Sequence, residues 1–401
     1  MRSYAMRRFL TASATGHSPS RFHLRACVLS TAIVLASSAL LQGQDAVQRT
    51  AAHTFRVVTV ADGLVVPWGM AFLPGGDMLV TERPGRLRVV RGGQLLAAPV
   101  SGVPAVRAGG QGGLLDVVAH PRFAENRLVY LSYSKPNADG TQSTTAVIRG
   151  RFERDALTGV ETVVEAKAWS EGEGHYGSRL AFDRDGYLFV TVGDRQVYPK
   201  DLERHPAQDL STHHGKVLRL HDDGRVPSDN PFVGREGALP EIWSYGHRNP
   251  QGLVIDGSTN DVWITEHGPQ GGDELNLVER GKNYGWPVVG FGVMYRTGAA
   301  IHPGTMREGM EQPVHVWVPS IAVSGLMQYT GDAFPGWRGN LFAGGLGGEQ
   351  ITRLTLDGRR VLNAEQIVQR QGRIRDVRQG PDGLVYVAFE TRDGTTTRIV
   401  R

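Results

Sequence analysis

From residue 55 onward the chain repeats one unit six times. Each unit is an apolar strand, a turn built on Gly, Pro, Asp or Asn, and a second apolar strand. The units run Trp68–Glu82, Gly113–Tyr133, Ser178–Asp194, Gln251–Glu266, Gly325–Gly344 and Arg375–Phe389. Helical periodicity is almost absent, and 52 glycines with 21 prolines favour turns and short strands. Six strand–turn–strand units at intervals of about 45 to 75 residues predict an all-β, six-bladed β-propeller. Each unit supplies the inner hairpin of a blade. Weaker strands, such as Arg86–Val90 and Gln350–Leu356, supply the outer positions. Phe55–Val60 is a strand left over at the start, expected to close the ring by pairing in the last blade, because closure removes exposed edges. The competing architectures are a long β-sandwich or two β domains, but no linker-like stretch divides residues 45–401. The longer inserts, Arg195–Gly215 and Tyr284–Pro319, fall between repeats and are expected to form loops on one face.

The first 44 residues read differently. Arg2, Arg7, Arg8, Arg21 and Arg25 precede an apolar run from Ala26 to Leu41, the order of an export signal. The run is about 16 residues long and rich in Ala and Ser, short for a membrane span of roughly 20. Cleavage near residue 44 would leave a periplasmic or secreted chain with no membrane span. It would also take the formal charge from +4 to about −1 and remove Cys27, the only cysteine. The basic balance of the whole chain therefore carries no nucleic-acid argument, and no Lys/Arg stripe follows in the remainder.

The polar residues just before the units point to chemistry. His175 lies in a glycine-rich run, Glu171–Gly177, at the mouth of the third hairpin, where an imidazole can move protons near neutral pH. The plain alternative is a surface histidine. Gln111, Arg179, Arg248, Asn249, Arg373 and Arg375 also precede or open inner strands. All are expected on the same face, and all but Arg179 to converge with His175 on one site at the central channel. Several arginines in one channel repel one another unless an anion sits there, and their forks suit carboxylates or phosphates. The alternative is a structural network with Asp194, Glu266, Asp273 and Asp376. The Gly/Asp-rich turn Thr265–Glu274 could offer carboxylates and carbonyls to a hard cation.

Five motifs in consistent order over residues 55–400 carry a family resemblance. They are Gly174-His-Tyr-Gly-Ser-Arg179, Gly246-His-Arg-Asn-Pro-Gln251, Glu266-His-Gly-Pro-Gln-Gly-Gly-Asp-Glu274, Asn283-Tyr-Gly-Trp-Pro287 and Arg373-Ile-Arg-Asp376. Together they resemble the soluble pyrroloquinoline-quinone (PQQ) dependent aldose sugar dehydrogenases of the glucose/sorbosone dehydrogenase family. The resemblance implies a six-bladed propeller with PQQ on its axis and oxidation of the sugar C1 hydroxyl to a lactone, hydride passing to the quinone C5. It implies that His175 is the general base, Asp194 its partner, and Arg248 the residue polarising the quinone oxygen. Gln111, Asn249, Tyr295, Gly345, Leu346, Gly347, Arg373 and Arg375 are the implied cofactor contacts. Calcium is implied at backbone oxygens of Gly268 and Pro269, and a further calcium at Glu274 and Tyr284. One departure stands out: the family usually has a lysine where this chain has Gly347, which removes one cation from the cofactor's carboxylate end. An unidentified electron acceptor would reoxidise the cofactor.

Two other readings belong to different classes. A calcium-dependent propeller lactonase needs a carboxylate-rich axial metal site and has no use for axial arginines. A non-catalytic propeller binding glycans or protein has no need of a base–carboxylate pair.

Overall fold

Each of the six repeated units folds as the two inner strands of a four-stranded antiparallel sheet. The computed structural model describes residues 47–401 apart from 392 and 394. The proposed export signal lies outside the described residues. Among those residues no helix is long and apolar enough to cross a membrane. The six innermost strands contact their neighbours all the way round, the one at Arg373–Gln379 touching the one at Pro67–Phe72. The six-bladed propeller read from the repeats is therefore the fold.

The apolar core is divided among the gaps between blades. One cluster joins blade one to blade two, with Leu79 and Leu87 against Leu114 and Val117. Equivalent clusters fill the other five gaps. Both faces of each sheet are thus covered. That is why second strands such as Leu188–Val192 and Val262–Glu266 are buried at every position and read as unbroken runs rather than alternating ones.

Ring closure occurs as expected, by a strand that shares Thr59 and Val60 with the expected one but runs further along the chain. Thr59–Val65 pairs with Thr396–Val400 as the outer strand of blade six and places Ala61 and Leu64 in the gap to blade one. Phe55 belongs instead to a short hairpin, Val47–Arg49 with Thr54–Arg56, and its ring meets Trp337 and Phe334 edge-on. The inserts also sit differently. Residues 195–215 separate the second and third strands of blade three, and residues 284–314 separate the third and fourth strands of blade four. They are insertions within blades, not links between them.

All six inner strands carry a register shift near their first residues. Such a bulge re-aims the local side chains and is common beside active sites. Here it directs Asp116, Arg179, Gln251 and Arg375 towards the axis.

Candidate active site

The axis is floored by a buried ionic cluster. Arg179 Nη1 lies 3.2 Å from Asp116 Oδ1 and 3.0 Å from Asp376 Oδ1. Arg378 bonds the same two carboxylates at 3.1 and 3.0 Å. Arg179 also donates to the carbonyls of Gln251 (2.6 Å) and Arg375 (3.0 Å), and stacks 4.1 Å from the Trp68 ring centroid. Arg179 is therefore a structural residue beneath the site.

Above the floor, a cavity of about 280 Å³ is lined by residues that include Trp68, Gln111, Tyr176, Gln251, Leu346 and His267. Arg83, Arg373, Arg375 and Glu390 complete its charged wall. Glu390 accepts from Arg375 Nε at 2.5 Å and stands 3.6 Å from Arg373 Nη2. Arg375 also donates to Gln251 Oε1 at 2.8 Å, and Arg373 to the Leu346 carbonyl at 3.1 Å. Of the partners considered from the sequence, Asp376 pairs with Arg179 and Arg378, whereas Arg375 in the wall bonds Glu390 instead. A wall with three guanidinium groups suits an anion.

His175 stands beside this cavity. Its φ of +48° is a left-handed conformation that a histidine adopts only when its surroundings impose it. Arg195 imposes it by donating to the carbonyls of Gly172 and Gly174 while its guanidinium lies 3.5 Å from the Tyr176 ring centroid. Gly193 passes so close that a Cβ there would lie 2.3 Å from the His175 carbonyl oxygen. The His175 amide donates to Gln111 Oε1 at 2.9 Å, tying the loop to the cavity wall.

The side chain has one anchored nitrogen. His175 Nδ1 lies 2.6 Å from Asp194 Oδ1. Asp194 also accepts from the Gln196 amide (2.9 Å) and from Trp286 Nε1 (2.7 Å). Burial alone would raise the Asp194 carboxyl, but its bond to His175 and the nearby Arg248 charge outweigh it and hold the pKa below the usual range. Burial pushes the His175 imidazole below 6.5, and Arg248 adds to this against the opposing pull of Asp194. At neutral pH the pair is a neutral imidazole with an ionised carboxylate. Because Nδ1 must donate to Asp194, Nε2 is the basic nitrogen.

Arg248 and Asn249 are next to this pair. The Arg248 carbonyl accepts from the Asp194 amide at 2.8 Å, and Arg248 Nη1 donates to the carbonyls of His267 (3.0 Å) and Gly268 (2.7 Å). Asn249 Oδ1 accepts from the Gly177 amide at 3.1 Å. Arg248 Nε and Asn249 Nδ2 are buried donors with no acceptor among the described residues. Orphan donors beside a cationic cavity fit a carboxylate-rich, oxygen-rich ligand such as PQQ.

The remaining sequence candidates fare unevenly. Tyr295 is 57% exposed on a turn and is not brought to the cavity wall. Gly345 and Gly347 are close to the wall in sequence, but Leu346 is the residue of that run that lines it. The four calcium candidates share a small second cavity with Glu266, yet they do not form one ligand set. The Gly268 carbonyl is occupied by Arg248, and the Tyr284 hydroxyl donates to the Leu277 carbonyl at 2.5 Å. Among the described residues no group of three or more His, Cys, Asp or Glu side chains is arranged around a metal position. Glu274 is different. Burial, with the Glu266 charge beside it, pushes its carboxyl up to about 8.

Sequence reasoning missed Arg83, Glu390 and Trp286. Glu390 was within reach, since it faces Arg373 across the sixth hairpin. Trp286 sits inside a quoted motif, but its bond to Asp194 spans 92 residues and has no local signal.

The fold and site define a class: a six-bladed propeller with a His–Asp pair beside an arginine-lined axial cavity. Residues 64–401 match the Glucose / Sorbosone dehydrogenase family, to which the chain belongs. Aldose sugar dehydrogenase YliI of Escherichia coli is 44% identical over 352 residues, which cover 86% of this chain and 93% of that protein. The apo crystal structure of the soluble aldose sugar dehydrogenase from Escherichia coli superposes with a TM-score of 0.80 at 43% identity, covering 86% of this chain and 98% of the other. The PQQ-bound aldose sugar dehydrogenase of Streptomyces coelicolor superposes with a TM-score of 0.69 at 29% identity, covering 86% and 96%.

Proposed function

We propose that the chain is a PQQ-dependent dehydrogenase that oxidises the C1 hydroxyl of aldose sugars to lactones, working in the periplasm or outside the cell. One observation carries this reading: His175, held through Nδ1 by Asp194, has its amide bonded to Gln111 and is followed by Tyr176 and Gly177, all three lining a cavity walled by guanidinium groups. The relatives named for aldose sugar dehydrogenase activity, one of them PQQ-bound, support the substrate class and the cofactor.

Arg373, Arg375, Gln111, Asn249 and Arg248 are the residues that would hold PQQ. When bound, PQQ supplies the two-electron acceptor that side chains cannot provide. The protein's own part is the proton. His175 Nε2 takes it from the C1 hydroxyl, and Asp194 stabilises the imidazolium that results. Trp286 and Gln196 keep Asp194 ionised and fixed throughout. The buried floor under Trp68 keeps water from entering along the axis.

Calcium has its best support at Glu274. Burial and the Glu266 carboxylate beside it raise the Glu274 carboxyl, and a divalent cation there would offset both charges. At Gly268 the cation present is Arg248 itself, so no step is assigned to calcium there.

The test is reconstitution of the purified protein with PQQ and Ca²⁺, followed by dye reduction with several aldoses. The expected result is a cofactor-dependent spectral change with aldose-dependent turnover; neither appearing would overturn the reading. The pH profile gives a sharper check. A base must be neutral to act, and burial holds His175 below its usual 6.5. kcat/KM is therefore expected to be flat through neutral pH and to fall only as acid protonates His175. An acid limb with its midpoint above 6.5 would contradict the assignment.

A further inference from the structure

Arg83 follows the second strand of blade one, Met78–Glu82, and its side chain reaches the central cavity. Its backbone is fixed on both sides. The amide donates to the Val66 carbonyl, and the carbonyl accepts from the Leu114 amide, both at 3.0 Å. Gly113 packs so tightly there that a Cβ would come within 1.9 Å of the Arg83 oxygen. The guanidinium therefore leaves from a rigid root, and little order remains to be imposed when it binds a ligand.

What sets Arg83 apart is its lack of a partner. Arg375 is bonded to Glu390 and Gln251, and Arg248 to two carbonyls. Arg83 makes no side-chain hydrogen bond and no ion pair within 4.0 Å to any described residue. The charges that act on it are Glu390, which is already engaged by Arg375, and Arg375 itself. A half-buried guanidinium facing a second guanidinium across a cavity is unfavourable until an anion enters. Among the described residues of the wall, Arg83 is thus the guanidinium left unbonded to Glu390.

We infer that Arg83 is an anchoring residue of this cavity, its guanidinium binding a carboxylate of the polycarboxylate cofactor from blade one, next to the blade-six strand that carries Arg373 and Arg375. This rests on the reading of the cavity as a PQQ site. It supplies a cation to a pocket in which position 347 is a glycine.

The experiment is an equilibrium titration of the apoprotein with PQQ, read as quenching of tryptophan fluorescence, since Trp68 lines the cavity. Arg83→Gln is expected to weaken binding by about 10- to 100-fold, the range of a lost hydrogen-bonded charge contact, and to make affinity less sensitive to salt. Thermal unfolding of the variant shows whether it is folded. Should the glutamine variant unfold, Arg83→Met, which keeps an aliphatic stem against the wall, decides the matter with the same expected loss. Binding by a folded variant within about twofold of the wild type, on a scale where 1.4 kcal/mol is tenfold, would overturn the assignment of Arg83 alone. Wild-type protein that takes up no PQQ would instead overturn the reading of the cavity, and the assignment with it.

Discussion

His175→Ala is expected to lower kcat for aldose oxidation by about 10²- to 10⁴-fold, the usual contribution of a positioned general base. PQQ affinity is expected to stay near the wild-type value. The two effects separate because the imidazole and the charged wall are different structures. Arg373, Arg375 and Glu390 sit on blade six, and none of them bonds to the His175 side chain. The link between loop and wall runs from the His175 backbone amide to Gln111, and alanine keeps that amide. Arg195 also continues to hold the carbonyls of Gly172 and Gly174, which keep the loop in place. Steady-state kinetics with PQQ titrations on both proteins would check this. Wild-type turnover in the variant would refute the base assignment. An equal loss of binding and turnover would mean that the loop, not the imidazole, was being measured.

Arg179→Met is expected to cost about 3–5 kcal/mol of folding stability, read as a lower urea midpoint with an unchanged m-value. Arg179 is 1% exposed and bonds two carboxylates and two carbonyls from three other blades. Methionine leaves Asp116 and Asp376 sharing Arg378 alone and strands the Gln251 and Arg375 carbonyls. The cost comes from the uncompensated charge left in a buried place, not from the pair's net worth, which can be small. High salt should not reproduce the effect, because ions do not reach the cluster. Gln251 and Arg375 belong to the cavity wall as well, so weaker PQQ binding should accompany the loss. A change below about 1 kcal/mol would show that the cluster is tolerated rather than required.

Much of the architecture was legible because a blade is a local object. The hairpin Leu180–Phe182 with Leu188–Val190 pairs residues separated by a single Asp-Gly turn, and its apolar run states that both faces are covered. His175 and Asp194 were legible for the same reason, as they flank that hairpin. The closing strand was placed a few residues early because Phe55–Val58 is as apolar as a true strand. Only the ring decides that Phe55 meets Trp337 while Leu64 fills the last gap. Tyr295 carried a motif-based expectation, but the blade-four insert leaves it in solvent.

The sequence by itself determined six repeated units, an all-β ring, the pairing of His175 with Asp194, and an arginine-rich face. The tertiary structure decided which charges meet. Arg179 reaches Asp116 across 63 residues, Trp286 reaches Asp194 across 92, and the Met70 amide reaches Asp376 across 306. Strand periodicity reports only on neighbours within a hairpin. The axis is assembled from one bulged strand of every blade, and those bulges set where each side chain points only after the ring has closed.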